Sequence, residues 1–171
     1  ECWYILDCPE DAKLLVGNKA KDREDLKQIV ESKDWEKLCN EVPVKKGDFV
    51  QIDPGTLHAI TGGMVILETQ QNSDITYRIY DYDRETDGVK RELHLKQGLD
   101  VIKAPDLYRE ENVVHIVPTE NEMQSLVCND CYEVWVLKTE GEYVLQHEEP
   151  FVIVGVVEGD GIVNGTPVKK G

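Results

Sequence analysis

Three side chains in the first half of the sequence, His58, Glu68 and Arg78, are of types that do chemistry together. An imidazole ligates metals or moves protons near neutral pH. A carboxylate takes up or delivers a proton, and a guanidinium steadies negative charge as it develops. His58 belongs to Asp53-Pro54-Gly55-Thr56-Leu57-His58-Ala59, directly after the strand-like run Gly47–Ile52. A strand entering a Pro-Gly turn delivers one histidine to the start of the next segment, which is how a small β-barrel aims an imidazole into its mouth. On residue type alone, a single histidine after a turn is more often structural than a ligand.

Glu68 ends the apolar run Met64-Val65-Ile66-Leu67. Strand alternation puts Met64, Ile66 and Glu68 on one face and Val65, Leu67 and Thr69 on the other. A carboxylate carried inward needs a partner, and Arg78 is the nearest candidate. Arg78 shares a face with Thr76, Tyr80 and Tyr82, a polar-aromatic surface suited to a sugar. The plainer reading is a cross-strand ion pair on an exposed face.

The other reactive residues give weaker signals. Cys128-Asn129-Asp130-Cys131 has CxxC spacing but no second pair, whereas a structural zinc site takes four ligands. His94, His115 and His147 are scattered and polar-flanked, and read as surface residues. Glu110-Glu111 and Glu148-Glu149 read as solvated loops. Ser73 has no base at hydrolase spacing.

These side chains need elements to hold them. Trp3–Leu6 and Lys13–Val16 read as strands joined by a polar turn at Pro9-Glu10-Asp11. Between Asp22 and Glu41 the apolar period changes: Leu26, Ile29 and Val30 share one helical face, and Trp35, Leu38 and Cys39 repeat it. Asp22 and Asp34 are candidate N-caps, so two short helices are expected as an insertion at about residues 22–41. Strands are expected again at 48–52, 64–69, 75–82 and 90–95, with a hairpin loop at 83–88. The pattern loosens at Ala104-Pro105-Asp106. Further strands are expected at 113–117, 132–137, 143–146 and 151–157, the last so apolar that it suits burial on both faces. Many short strands, polar turns and one helical region favour a barrel or sandwich.

Composition narrows the function classes. The 171 residues carry a net charge of −15, which argues against a nucleic-acid partner. A single small phosphate needs only a few local cations. No apolar run approaches the roughly 20 residues of a membrane helix. Five cysteines, an odd number, do not suggest a disulfide framework and fit a reducing cytoplasm.

The motifs together give the chain a family resemblance. Glu1-Cys2-Trp3-Tyr4-Ile5-Leu6, the stretch from Lys46-Gly47-Asp48-Phe49 to His58-Ala59, the stretch from Glu68 to Arg84, and Arg91-Glu92-Leu93-His94 occur in the order seen in the short bacterial type I mannose-6-phosphate isomerases. Over residues 1–100 the chain resembles that family closely. Beyond residue 100 it is similar only to the general pattern of a second barrel. Asp53-Pro54-Gly55 departs from the usual proline, small residue, glycine but keeps the glycine and the histidine.

The resemblance implies a mainly β fold, a cupin-type β-barrel (jelly roll) with a small helical insertion and part of a second cupin-like barrel. Residues 1–103 would be the C-terminal portion of the catalytic barrel and 104–171 the opening of the next. It implies a zinc enzyme that interconverts mannose 6-phosphate and fructose 6-phosphate, with a small phosphorylated sugar as its substrate. Glu1 and His58 match two of the family's four zinc ligands, and the other two would fall before residue 1. Arg78 matches the catalytic arginine, and Glu68 is a candidate for proton transfer or for holding Arg78. Pro43-Val44-Lys45-Lys46-Gly47 recurs as Pro167-Val168-Lys169-Lys170-Gly171, which suggests a piece of a longer double-barrel protein, inactive alone. The rival readings are a non-catalytic sugar-binding cupin module and a different metal-dependent cupin enzyme.

Overall fold

The computed structural model describes every residue except Leu107 and 109–111, so the expectation for Glu110 and Glu111 lies outside the described residues. Strands β1 (Cys2–Asp7) and β2 (Lys13–Asn18) precede helices α1 (Arg23–Ser32) and α2 (Trp35–Leu38). Strands β3 (Cys39–Pro43), β4 (Asp48–Gln51), β5 (His58–Ala59) and β6 (Val65–Thr69) follow. A short hairpin, β7 (Glu85–Thr86) and β8 (Val89–Lys90), leads to helix α3 (Leu95–Val101) and strand β9 (Val113–His115). Later come the paired strands β10 (Met123–Cys128) and β11 (Glu133–Leu137), then β12 (Asp160–Val163) and β13 (Thr166–Lys169).

Two antiparallel sheets organise the first half of the chain. One has the order β6-β1-β4-β9 and the other β3-β2-β5. Alternation along β1 and β2 turns Trp3, Ile5, Leu14 and Val16 to one shared core, where Val42, Val50 and Ile52 join them. Trp3, Ile5, Leu14, Val16 and Val50 are each at most 1 % exposed. Burying such side chains contributes roughly 1.5–3 kcal/mol each, so this contact fixes how the two sheets face. The mainly β architecture is the one expected.

The helical pair falls where the changed period puts it. Asp22 caps α1 by accepting the Asp25 N–H at 2.9 Å, and the helix ends at Lys33 in the left-handed region, φ 58°. Asp34 stands at the N-cap position of α2 but makes no side-chain cap; its carboxylate pairs with Lys37 instead. Leu26, Val30 and Leu38 pack with Ala20, Ile79 and Ile102 in a second core.

Several segments depart from expectation. Residues 75–82 form no ladder. Ile79 is drawn into the helical core and Asp81 is captured by Arg84 and Arg91, while Tyr82 and Asp83 turn to φ 53° and 54°. Residues 95–101 are helical, because Leu95, Leu99 and Ile102 recur at helical spacing and Leu99 and Ile102 meet the same core. Residues 143–146 and 151–157 carry no strand. Far from being buried on both faces, Phe151 and Ile153 are 74 % and 85 % exposed. An apolar run shows what a segment can bury, but burial also requires a neighbouring element to lie against it. The repeated pentapeptide is not a structural repeat: its first copy ends β3 and turns into β4, whereas Pro167-Val168-Lys169 lies within β13.

The described residues divide into two compact units, Glu1–Val117 with Ser125–Trp135, and Pro118–Gln124 with Val136–Gly171. The second is built on the β12–β13 hairpin and on Asn121, whose N–H donates to the Lys138 carbonyl at 2.7 Å. Among the described residues no helix is long and apolar enough to cross a membrane.

Candidate functional site

The ends of the two sheets bring Glu1 and His58 together. Glu1 directly precedes β1, and its backbone is tied to β4 where the Ile52 N–H donates to the Glu1 carbonyl at 2.8 Å. His58 opens β5 and pairs in register with Val16 of β2, whose side chain is in the core. Direct cross-strand partners project to the same face, so His58 shares the face of the core residue Val16, at its edge, with its side chain 36 % exposed. The result is a contact of 3.2 Å between His58 Nε2 and Glu1 Oε1.

Glu68 joins this face. It pairs with Trp3 across β1 and β6, which sets the two Cβ atoms about 4.5–5.5 Å apart on one side of the sheet. Trp3 is also edge-on to His58, with ring centroids 5.5 Å apart and planes at 72°. The site therefore has Trp3 as its floor, with Glu1, His58 and Glu68 around the rim.

The Asp53–His58 turn is held from below. Thr56 N–H donates to the Asp53 carbonyl at 3.1 Å, and Lys103 N–H donates to the Gly55 carbonyl at 2.8 Å. Gly55 has φ +82°, and a Cβ there would lie 2.6 Å from the Val101 carbonyl oxygen, so glycine is required for that approach. His58 Nδ1 lies 2.8 Å from the Thr56 carbonyl oxygen. That carbonyl accepts from Nδ1–H, which leaves the Nε2 lone pair to face Glu1 whenever the ring is neutral. The same turn borders a recess of about 590 Å³ that Arg23 and Lys103 also line.

Electrostatics bind the three groups to one another. The His58 hydrogen bond holds the Glu1 carboxyl below the usual carboxylate range, against the opposing effect of burial. Burial alone would lower the His58 pKa, but the Glu1 hydrogen bond, the Thr56 carbonyl and the charges of Glu1 and Glu68 together raise it. Burial and the neighbouring Glu1 charge push Glu68 up. Two carboxylates and an imidazole therefore share one face, and Glu68 is the carboxyl there that holds a proton more readily.

The structure does not bring Arg78 to this cluster. Its guanidinium Nη1 reaches the Glu92 carbonyl at 3.4 Å, and among the described residues it forms no ion pair with Glu68 or any other carboxylate. Tyr80 and Tyr82 go elsewhere too: Tyr80 stacks on Trp35 at 4.7 Å and 17°, and Arg84 sits over the Tyr82 ring. Cys128 and Cys131 are free and exposed on the β10–β11 turn, and Cys128 Sγ donates to Glu133 Oε1 at 3.1 Å. Among the described residues no three His, Cys, Asp or Glu side chains converge on a point that would hold a metal ion. Trp3 was not singled out from the sequence, although the alternation that places Ile5 inward places Glu1 and Trp3 on the same face.

No family model matches the chain. Mannose-6-phosphate isomerase ManA of Bacillus subtilis is 41 % identical over an alignment of 177 positions, which covers 100 % of this chain and 56 % of that protein. A mannose-6-phosphate isomerase of Streptococcus mutans is 38 % identical, covering 94 % of this chain and 51 % of that protein. The crystal structure of a mannose 6-phosphate isomerase from Bacillus subtilis superposes with a TM-score of 0.83 at 36 % identity, covering 99 % of this chain and 56 % of that one. The chain thus spans about half the length of the curated relatives that it matches. In sequence and in fold, end to end, it is related to a little over half of a mannose-6-phosphate isomerase.

Proposed function

We propose that the chain contributes the catalytic mouth of an aldose–ketose isomerase that interconverts mannose 6-phosphate and fructose 6-phosphate. The observation that carries this reading is the meeting of Glu1 and His58 across two sheets, with Glu68 on the same face, in a chain whose relatives bear that name. The five free cysteines fit a cytoplasmic enzyme.

The donor set suits zinc. Ligand atoms around one tetrahedral ion with bonds of about 2 Å lie roughly 3–3.5 Å from each other, and Glu1 Oε1 and His58 Nε2 are 3.2 Å apart. Nδ1 is already committed to a backbone carbonyl, the usual arrangement for a ligating histidine. Glu1 and His58 would hold the ion with further donors from outside this pair. Bound there, zinc would polarise a sugar oxygen as a Lewis acid.

The protein groups account for the remaining requirements. The reaction moves one proton between C1 and C2 of the open sugar and compensates charge on the neighbouring oxygens. Glu68, with its carboxyl pushed up and its side chain at the mouth, is suited to accept that proton and return it. Arg78 supplies the positive charge in this reading; its contact with the Glu92 carbonyl is long and exposed and gives way at little cost.

In the full-length context, a coupled isomerase assay together with metal analysis tests the proposal. Arg78→Ala should lower kcat at least about 100-fold, as expected for loss of one electrostatic stabiliser, with zinc content unchanged. A kcat within a few-fold of normal would return Arg78 to a structural role. A protein that takes up zinc and binds the sugar but isomerises nothing would favour the non-catalytic cupin module.

A further inference from the structure

Trp3 combines three features that packing alone does not require. It is 1 % exposed, yet its indole Nε1–H has no hydrogen-bond partner. A buried donor left unmade costs on the order of 1–3 kcal/mol, a cost set against the packing that the large ring provides. The ring stands edge-on against His58 at 5.5 Å. By strand alternation it also shares a face with Glu1, two residues before it. The unsatisfied donor thus lies under the mouth that Glu1 and His58 share.

Resting on the zinc reading above, we propose that Trp3 is a positioning residue for the cation site. Its N–H takes up the Glu1 oxygen that faces away from the ion, and its ring edge sets the tilt of His58. A carboxylate that ligates through one oxygen leaves the other in need of a donor. No other hydrogen bond competes for that N–H. The donor's lack of a partner and the ligand's need for one then answer each other, and the metal-free state bears the cost.

The experiment compares zinc affinity, by competition with a chromophoric chelator, in the full-length protein and in Trp3→Phe. Loss of an outer partner of a ligand should weaken zinc about 10–100-fold. A structural role alone would leave the affinity within about twofold, with only the melting temperature changed. If Trp3→Phe does not fold, site-specific benzothienylalanine at position 3 replaces the N–H by sulfur and keeps the ring shape, and the same loss of affinity is expected. An independent readout is the indole ¹⁵N–H resonance of Trp3, which should move downfield on zinc addition as the bond forms. An unmoved resonance, or equal affinities, overturns the proposal for Trp3 and leaves the zinc site standing. Wild-type protein that binds no zinc overturns the zinc site, and Trp3's role with it.

Discussion

Asp81 is a charged residue in a buried position, 5 % exposed, and two guanidinium groups explain why it is tolerated there. Arg91 grips both carboxylate oxygens, Nε reaching Oδ2 at 2.6 Å, and Arg84 Nη2 donates to Oδ1 at 2.8 Å. Arg91 first, and Arg84 after it, hold this carboxyl below the usual range. A depressed folded pKa contributes stability that is present above the ordinary carboxylate value of about 4 and is lost as pH falls through the folded value. The difference in melting temperature between the wild type and Asp81→Asn should therefore be full near neutral pH and close below about pH 4. A difference independent of pH would show that the carboxylate charge contributes nothing. At this scale the sequence was legible where strand alternation governs. Glu68 pairs with Trp3 on the face that alternation gives it. The Glu1–His58 meeting was expected only from the resemblance, which makes both of them zinc ligands. The Asp81 clamp was not legible, because it closes only once the chain turns at Tyr82 and Asp83.

Helix α3 packs so closely on the segment before it that an ordinary helix rule reverses. Alanine for glycine in an exposed helix interior gains about 1 kcal/mol. At Gly98 a Cβ would lie 2.0 Å from Ile79 Cδ1 and 3.1 Å from its Cγ1, and Ile79 is itself 5 % exposed. Overpacking of that kind costs about 1–3 kcal/mol, so Gly98→Ala should lower stability in chemical denaturation. Adding Ile79→Val, which removes Cδ1, should recover most of the loss. A stabilised single variant would show that the two elements are not in contact. The same contact explains why residues 75–82 are not a strand. Their apolar and aromatic side chains fit a pleated surface equally well, and only the helix chosen by Leu95, Leu99 and Ile102 decides where Ile79 goes. By contrast β1, β2, β4 and β6 alternate or run apolar against neighbours that are present, and pattern alone was enough to find them.

Across the molecule, order is unequal. The first unit holds both buried clusters. The second leaves Val144, Phe151 and Ile153 at 72–85 % exposure, and residues 140–159 carry no strand or helix. Local opening costs least where few apolar contacts and few ladder bonds resist it. Limited proteolysis of this chain should cut first within 140–159, and hydrogen exchange there should be complete before β1 or β2 shows any. Protection of 151–157 equal to that of β1 would contradict the structure. The apolar stretch was easy to see in the sequence, but its exposure depends on which strands lie beside it, and a one-dimensional pattern cannot supply that.

The placement of Glu1 on one sheet and His58 on the other also bears on thermal behaviour. Any ligand that engages both groups recognises only the state in which the sheets have met, so its binding free energy adds to the stability of that state. At a free concentration a hundred times its Kd the gain is about 2.7 kcal/mol. Resistance to heating then becomes a gauge of occupancy, able to rank cations or sugar phosphates as ligands of this mouth without a single turnover.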